Sequence, residues 1–199
     1  MPTDQQRNFL LEALYRAFGT VYTDERELFD WDVAERTICG RIAVHLEFLK
    51  QEYWFKKYYC DVEFNRAQDG WVKAIADGKT IAAPNVLLDV AIHGRDKCGD
   101  LENLLCVEVK KEGAPLDRME SDRERLCCLT LSPENVWLME AETPSNVVCG
   151  YLVGVFIIYD AMNDNVVFEI YKDGKLAGTC QENRASFEAF LKRFKRQGR

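Results

Sequence analysis

Two short apolar runs between Leu87 and Lys111, LLDVAIH and LLCVEVKK, constrain this chain more than any other stretch. Each has the length and the aliphatic, β-branched content of a buried strand. Each also carries charge that a buried strand does not need: Asp89 in the first, Glu108 and Lys110 in the second. Successive side chains of a strand point to opposite faces. Asp89, Ala91 and His93 therefore share a face, opposite Leu88, Val90 and Ile92. Cys106, Glu108 and Lys110 share a face, opposite Leu105, Val107 and Val109. If the strands pair side by side, two carboxylates and one ammonium converge on one patch. That patch is either a divalent-metal site of hard oxygen ligands with a cation beside it, or a buried ion-pair cluster without catalysis.

The flanking sequence supplies the rest of a fold. Thr3-x-x-Gln6 is a capping box that predicts an N-terminal helix over 4–18, with Phe9, Leu10, Ala13, Leu14 and Ala17 on one face and Gly19 as its stop. Asp24-x-x-Glu27 signals a second start, leading into a helical stretch that restarts near Asp30 or Asp32. There Glu35, Cys39, Ile42, Leu46 and Leu49 fall at helical spacing and form one stripe. Glu35 at its head either complements the helix dipole or adds a third acidic group to the patch. Tyr58 to Arg66 alternates and reads as the first strand of a meander that continues into the two charged runs. Its Glu63 either joins the patch or lines a solvated face, and 67–84 reads as a loop or hairpin connection. After the runs, EGAPLDRMES reads as a link, and Ser121-x-x-Glu124 predicts the start of a helix with Leu126 and Leu129 inward. Tyr151 to Tyr159 is a strand buried on both faces, central in its sheet. Asp173-Gly174 is a hairpin turn, and Thr179-x-x-Glu182 caps a last helix with Phe187, Phe190, Leu191 and Phe194 inward. The expectation is a single domain over 1–199 with a mixed α/β (α+β) architecture: a core at about 30–160, plus the N-terminal helix and a C-terminal hairpin and helix over 165–196 as additions.

Asp89 followed by Glu108-Val109-Lys110 resembles the signature of the PD-(D/E)XK nuclease superfamily, an Asp on one core strand and (Asp/Glu)-X-Lys on the next. The likeness extends to the Glu-Arg pair opening ERTICGRIAVHLEFLK, to YYCDVEFNR, to a helix from Asp122 to Leu131 and to the strand YLVGVFIIY, so it covers roughly 30–160. Leu88 stands where the motif usually has Pro, with Pro84 just upstream, and Gly94 interrupts what is often a basic pair; neither position is a metal ligand. The resemblance implies a restriction endonuclease-like core, a central mixed sheet with a three-strand meander flanked by helices. It implies a divalent-metal-dependent nuclease acting on nucleic acid, DNA ahead of RNA. Asp89, Glu108 and the Val109 carbonyl would hold Mg²⁺, with Mn²⁺ able to substitute; Lys110 would position the attacking water, and Glu35 would take a second metal, directly or through water. His93, Arg66 and Lys111 are candidates for contacting the nucleic acid. The alternative is a non-catalytic nucleic-acid-binding or protein-interaction module that keeps the nuclease fold.

Composition narrows the remaining classes. The net charge of −7 runs against a strongly basic nucleic-acid binder, although Lys50, Lys56, Lys57, Arg66, Arg95, Lys97, Lys110 and Lys111 flank the proposed site elements. The basic run LKRFKRQGR suits a solvated helix end. With two histidines and no GxSxG, a Ser/His/Asp hydrolase has no support; with neither GxGxxG nor a complete P-loop, nor does a nucleotide-dependent mechanism. The eight cysteines show neither a CxxC pair nor a Cys–His ligand set, and only Cys180 lies near the C-terminus, where iron–sulfur relatives of this superfamily cluster three. They read as free, mostly buried thiols. No signal pattern opens the chain and no run is long enough for a membrane span, so a cytoplasmic protein that avoids membranes, acting alone, as a homodimer or with a partner protein, is expected.

Overall fold

The structure, a computed structural model, describes residues 3–65, 74–76, 81–84, 86–95, 97–99, 101–135 and 148–197. Helix α1 (Asp4–Asp24) opens as expected: the Gln6 amide donates to Thr3 Oγ1 at 3.2 Å, and the Thr3 amide donates to the Gln6 side chain at 2.9 Å. It does not stop at Gly19. That glycine is a packing position, where a Cβ would sit 2.8 Å from the Phe187 ring. A short turn, α2 (Glu27–Asp30), follows, and Asp32 at φ +53° breaks the chain before α3 (Glu35–Leu49) begins. The predicted stripe holds: Cys39, Ile42 and Leu46 are buried.

Strand β1 (Tyr59–Asp61) is shorter than the alternation predicted, because Glu63 adopts φ +51° and turns the chain out of the sheet. Strands β2 (Ala74–Ala76) and β3 (Ile81–Pro84) form a separate two-stranded ribbon. The charged runs become β4 (Val90–His93) and β5 (Asn103–Lys111), followed by α4 (Leu116–Thr130), β6 (Val153–Asp160), β7 (Asn165–Lys172), β8 (Lys175–Glu182) and α5 (Arg184–Gln197). The main sheet has the order β1-β4-β5-β6-β7-β8. Strands β1, β4 and β5 are an antiparallel meander; β6 lies parallel to β5 after the α4 crossover; β7 and β8 continue antiparallel. The buried run around Ile157 is thus an interior strand, as read, and Asp173 (φ +51°) with Gly174 (φ +78°) makes the β7–β8 hairpin.

Three capping signals differ in the structure: Asp24 closes α1 rather than opening the next helix, since α2 starts after Arg26 with no side-chain cap. Ser121 lies inside α4, which already starts after Pro115, so more than half of the expected link is helical. Thr179 and Glu182 belong to β8; α5 is capped instead by Asn183 and Ser186, whose side chains each accept the other's amide at 2.9 and 3.0 Å.

The sheet separates two apolar layers. Odd-numbered β5 residues (Leu105, Val107, Val109) pack with α1, α3 and Phe187 of α5, and even-numbered ones face α4, where Cys106 meets Leu126, Leu129 and Phe156. A register shift after Ile92 lets Leu104 join Leu105 on the α1/α3 side. The result is a mixed α/β fold, a central sheet flanked by helices on both faces. No helix among the described residues is long and apolar enough to cross a membrane. The eight cysteines are free thiols, with Cys39, Cys106 and Cys128 buried and the other five half-buried.

Candidate functional site

The even face of β5 points Glu108 and Lys110 toward α4, and Asp89 stands just before β4 in the neighbouring position. Backbone geometry fixes Asp89: its Oδ2 accepts the Val109 amide at 2.8 Å. Its carboxyl lies within hydrogen-bonding reach of Glu108. Glu108 is only 1% exposed. Burial, reinforced by the Asp89 charge, pushes its carboxyl well up, and burial likewise raises Asp89 against the opposing pull of the Val109 amide and Lys110.

Lys110 is the hub. Its Nζ lies 3.3 Å from Glu35, 3.5 Å from Asp122 and 3.8 Å from Asp89, and donates to the Val109 carbonyl at 3.1 Å. Burial works to lower this ammonium, but Asp89, Asp122, Glu35 and Glu108 outweigh it and raise it above the ordinary lysine value. Glu35 reaches the cluster from the first turn of α3 and also accepts the Lys111 amide at 3.0 Å, so its carboxylate serves the end of β5. Glu35, Asp89, Glu108, Val109 and Lys110, which the family resemblance places in one site, lie together.

Two members were missed. Asp122 and Arg125 project from α4: Arg125 Nη1 lies 2.6 Å from Glu108, and its Nη2 lies 2.8 Å from Asp122. The signal for Asp122 was present, since it falls four and seven residues before the inward Leu126 and Leu129. Asp122 Oδ2 is buried and accepts no hydrogen bond.

The remaining candidates lie elsewhere. His93 is buried and hydrogen-bonded to Asp61 at 2.9 Å, packed against Phe64, with Arg95 also on Asp61. Glu63 pairs with Arg36 at 2.7 Å. The Lys111 ammonium pairs with Asp32 at 2.5 Å. Arg66 lies outside the described residues. Beside the cluster, a cleft of about 470 Å³ opens between Glu35, Lys110, Lys111, Gly113, Pro115 and the exposed Arg118.

The cluster sets four carboxylates (Glu35, Asp89, Glu108, Asp122) against two cations (Lys110, Arg125), and so carries surplus negative charge when fully ionised. Among the described residues, no three His, Cys, Asp or Glu side chains are grouped to hold a metal ion. Comparisons of the chain with protein-family models, with curated proteins and with solved structures find no match.

Proposed function

We propose that this chain is a divalent-metal-dependent phosphodiesterase that hydrolyses nucleic acid, DNA ahead of RNA. One observation carries the reading: Asp89, just before β4, is held against β5 by the Val109 amide next to Glu108, with the Lys110 ammonium 3.8 Å from Asp89. Two carboxylates this close, one buried and one half-buried, repel unless a proton or a cation lies between them. The order of elements supports it too. Helix α3, the β1-β4-β5 meander, crossover α4 and parallel strand β6 come in the order that the sequence resemblance implies.

The residues present fit a hard divalent ion. Asp89, Glu108 and the Val109 carbonyl offer oxygen ligands only, and Mg²⁺ is commonly held by one or two carboxylates while it keeps several waters. The unbonded Asp122 Oδ2 is an acceptor for such a water. When bound, Mg²⁺ or Mn²⁺ supplies charge stabilisation at phosphoryl oxygens and lowers the pKa of its water. The chain's own groups do the rest. Lys110, fixed by Glu35 and Asp122, presents a positive charge where a phosphoryl oxygen or an attacking water is to be oriented. Glu35 holds both that ammonium and the Lys111 amide, so it positions the end of β5. The cleft beside them gives a strand of nucleic acid access, with Arg118 at its rim.

A second reading has an observation of its own. Arg125 already lies 2.6 Å from Glu108, so the cluster is partly neutralised without a metal, as a non-catalytic module with this fold would require. A cleavage panel separates the two: labelled single- and double-stranded DNA and RNA with Mg²⁺, Mn²⁺ or EDTA. The expected result is metal-dependent cutting that falls on the order of 10³-fold or more in Asp89→Ala and Lys110→Met. Salt-sensitive binding without cutting, unchanged by both substitutions, establishes the second reading.

A further inference from the structure

Arg125 has no part in the sequence motif, yet it makes the shortest contact to the most buried carboxylate of the site. Its guanidinium bridges Glu108 at 2.6 Å and Asp122 at 2.8 Å, and also donates to the Leu87 carbonyl at 3.3 Å. On the other side, Lys110 takes the Val109 carbonyl and approaches Asp89, Glu35 and Asp122. The two cationic side chains thus take Glu108 and the Val109 carbonyl and lie near Asp89. We propose that Arg125 is an internal competitor for the site's divalent cation: it neutralises Glu108 in the metal-free protein and must release it for the ion to bind. The inference rests on the metal-site reading of Asp89 and Glu108 given above.

While it is ionised, a carboxylate as buried as Glu108 needs a counter-charge. Arginine supplies a permanent one, in a planar fork that spans two carboxylates. A guanidinium and a divalent ion cannot both lie against Glu108 without strong mutual repulsion. Arg125 also has a way out. Its side chain is 24% exposed, against 1% for Glu108, so its head can move toward solvent while the carboxylate stays. Asp122 keeps Lys110 as a partner when Arg125 leaves. The arrangement therefore holds the apo site together at the expense of metal affinity.

The test is direct binding of Mn²⁺ alone, by calorimetry and by the electron paramagnetic resonance of the free ion. The proteins are wild type, Arg125→Gln, Arg125→Lys and Arg123→Gln. Arg123 is the control, because it lies on the same helix but pairs with Glu169 at 2.7 Å, outside the cluster. Arg125→Gln should bind Mn²⁺ roughly tenfold to a hundredfold more tightly than wild type, the range set by one charge-assisted hydrogen bond. Arg125→Lys should fall between the two, and Arg123→Gln should match wild type. A damaged site loses affinity, so a gain cannot come from a merely structural role. If Arg125→Gln does not fold, the lysine variant carries the same prediction. Binding seen in Arg125→Gln but not in wild type also supports the proposal. Equal or weaker binding in both Arg125 variants, beside a wild type that binds and cuts, overturns the competitor alone. No binding in any of the four proteins overturns both the competitor and the metal-dependent reading beneath it.

Discussion

Asp61 shows how a charged residue in this fold acquires its role from its neighbours. Burial alone would raise its carboxyl, but hydrogen bonds from His93 and Arg95 win and hold it well below the ordinary carboxylate range. Asp61→Asn should therefore cost about 1–2 kcal/mol at pH 7, a partly exposed charge-assisted pair giving less than a fully buried one. A group whose folded pKa is depressed contributes stability that is present above its unfolded value, about 3.9 for Asp, and lost as pH falls through the folded value. Urea denaturation at several pH values should find a constant gap between wild type and variant from pH 7 to 5, narrowing only below about pH 4. A gap already gone at pH 5 would show that these partners do not hold Asp61 charged. His93 also marks a limit of reading a sequence. Period-two alternation set it on the face of Asp89, and the regular β1–β4 pairing keeps it there, but its partner is Asp61 on the neighbouring strand, which spacing within one run cannot reveal. Asp89, Glu108 and Lys110 were legible because alternation operates within each strand and the two strands are neighbours. Arg125 was not, because its partner is chosen by how α4 lies across the sheet.

At the scale of elements, the errors share a cause: local signals were given authority over packing. Gly19 reads as a stop because glycine favours helix ends, but α1 runs through it to Asp24. What demands glycine is α5, more than 150 residues later, whose Phe187 ring leaves no room for a methyl group. Gly19→Ala improves helix propensity by about 1 kcal/mol, while forcing a packed ring aside costs about 1–3 kcal/mol. The net expectation is destabilisation of about 1 kcal/mol, measured by denaturant unfolding. Phe187 is enclosed by Tyr15, Phe18, Tyr22 and Phe168, so it has little freedom to yield. In the Phe187→Leu background the penalty should shrink, since the clashing edge is gone. A stabilised Gly19→Ala would mean that the ring moves freely. The same conflict explains Ser121 and Thr179, both of which have cap-like spacing inside regular elements. By contrast the Asp173-Gly174 hairpin and the Thr3 capping box were read correctly. Their chemistry is complete within four residues, and tertiary packing has nothing to override.

Across the whole molecule, the cluster is a seam. Glu35 belongs to a helix on one face of the sheet and Asp122 and Arg125 to a helix on the other, and Lys110 at the end of β5 touches carboxylates from both sides. Separate stretches of the chain therefore have to be folded for these groups to meet, and the unfolded chain holds no equivalent site. A ligand that binds only the native arrangement stabilises the entire fold by mass action, by about 2.7 kcal/mol when its free concentration is a hundredfold above Kd. For a chain of 199 residues, that corresponds to a rise in Tm of roughly 5–10 °C. Thermal melts of wild type with increasing Mn²⁺ should show this rise. Asp89→Ala should melt at one temperature throughout, because it removes a carboxylate of the proposed metal site while the layers on both sides stay packed. Matching the ionic strength with NaCl separates a site from general screening of a chain with net charge −7. A rise that persists in Asp89→Ala would place the ion elsewhere on the acidic surface. A flat response in both proteins would leave the four carboxylates balanced by Lys110 and Arg125 alone, and the fold would then be a binding scaffold that never needed the ion.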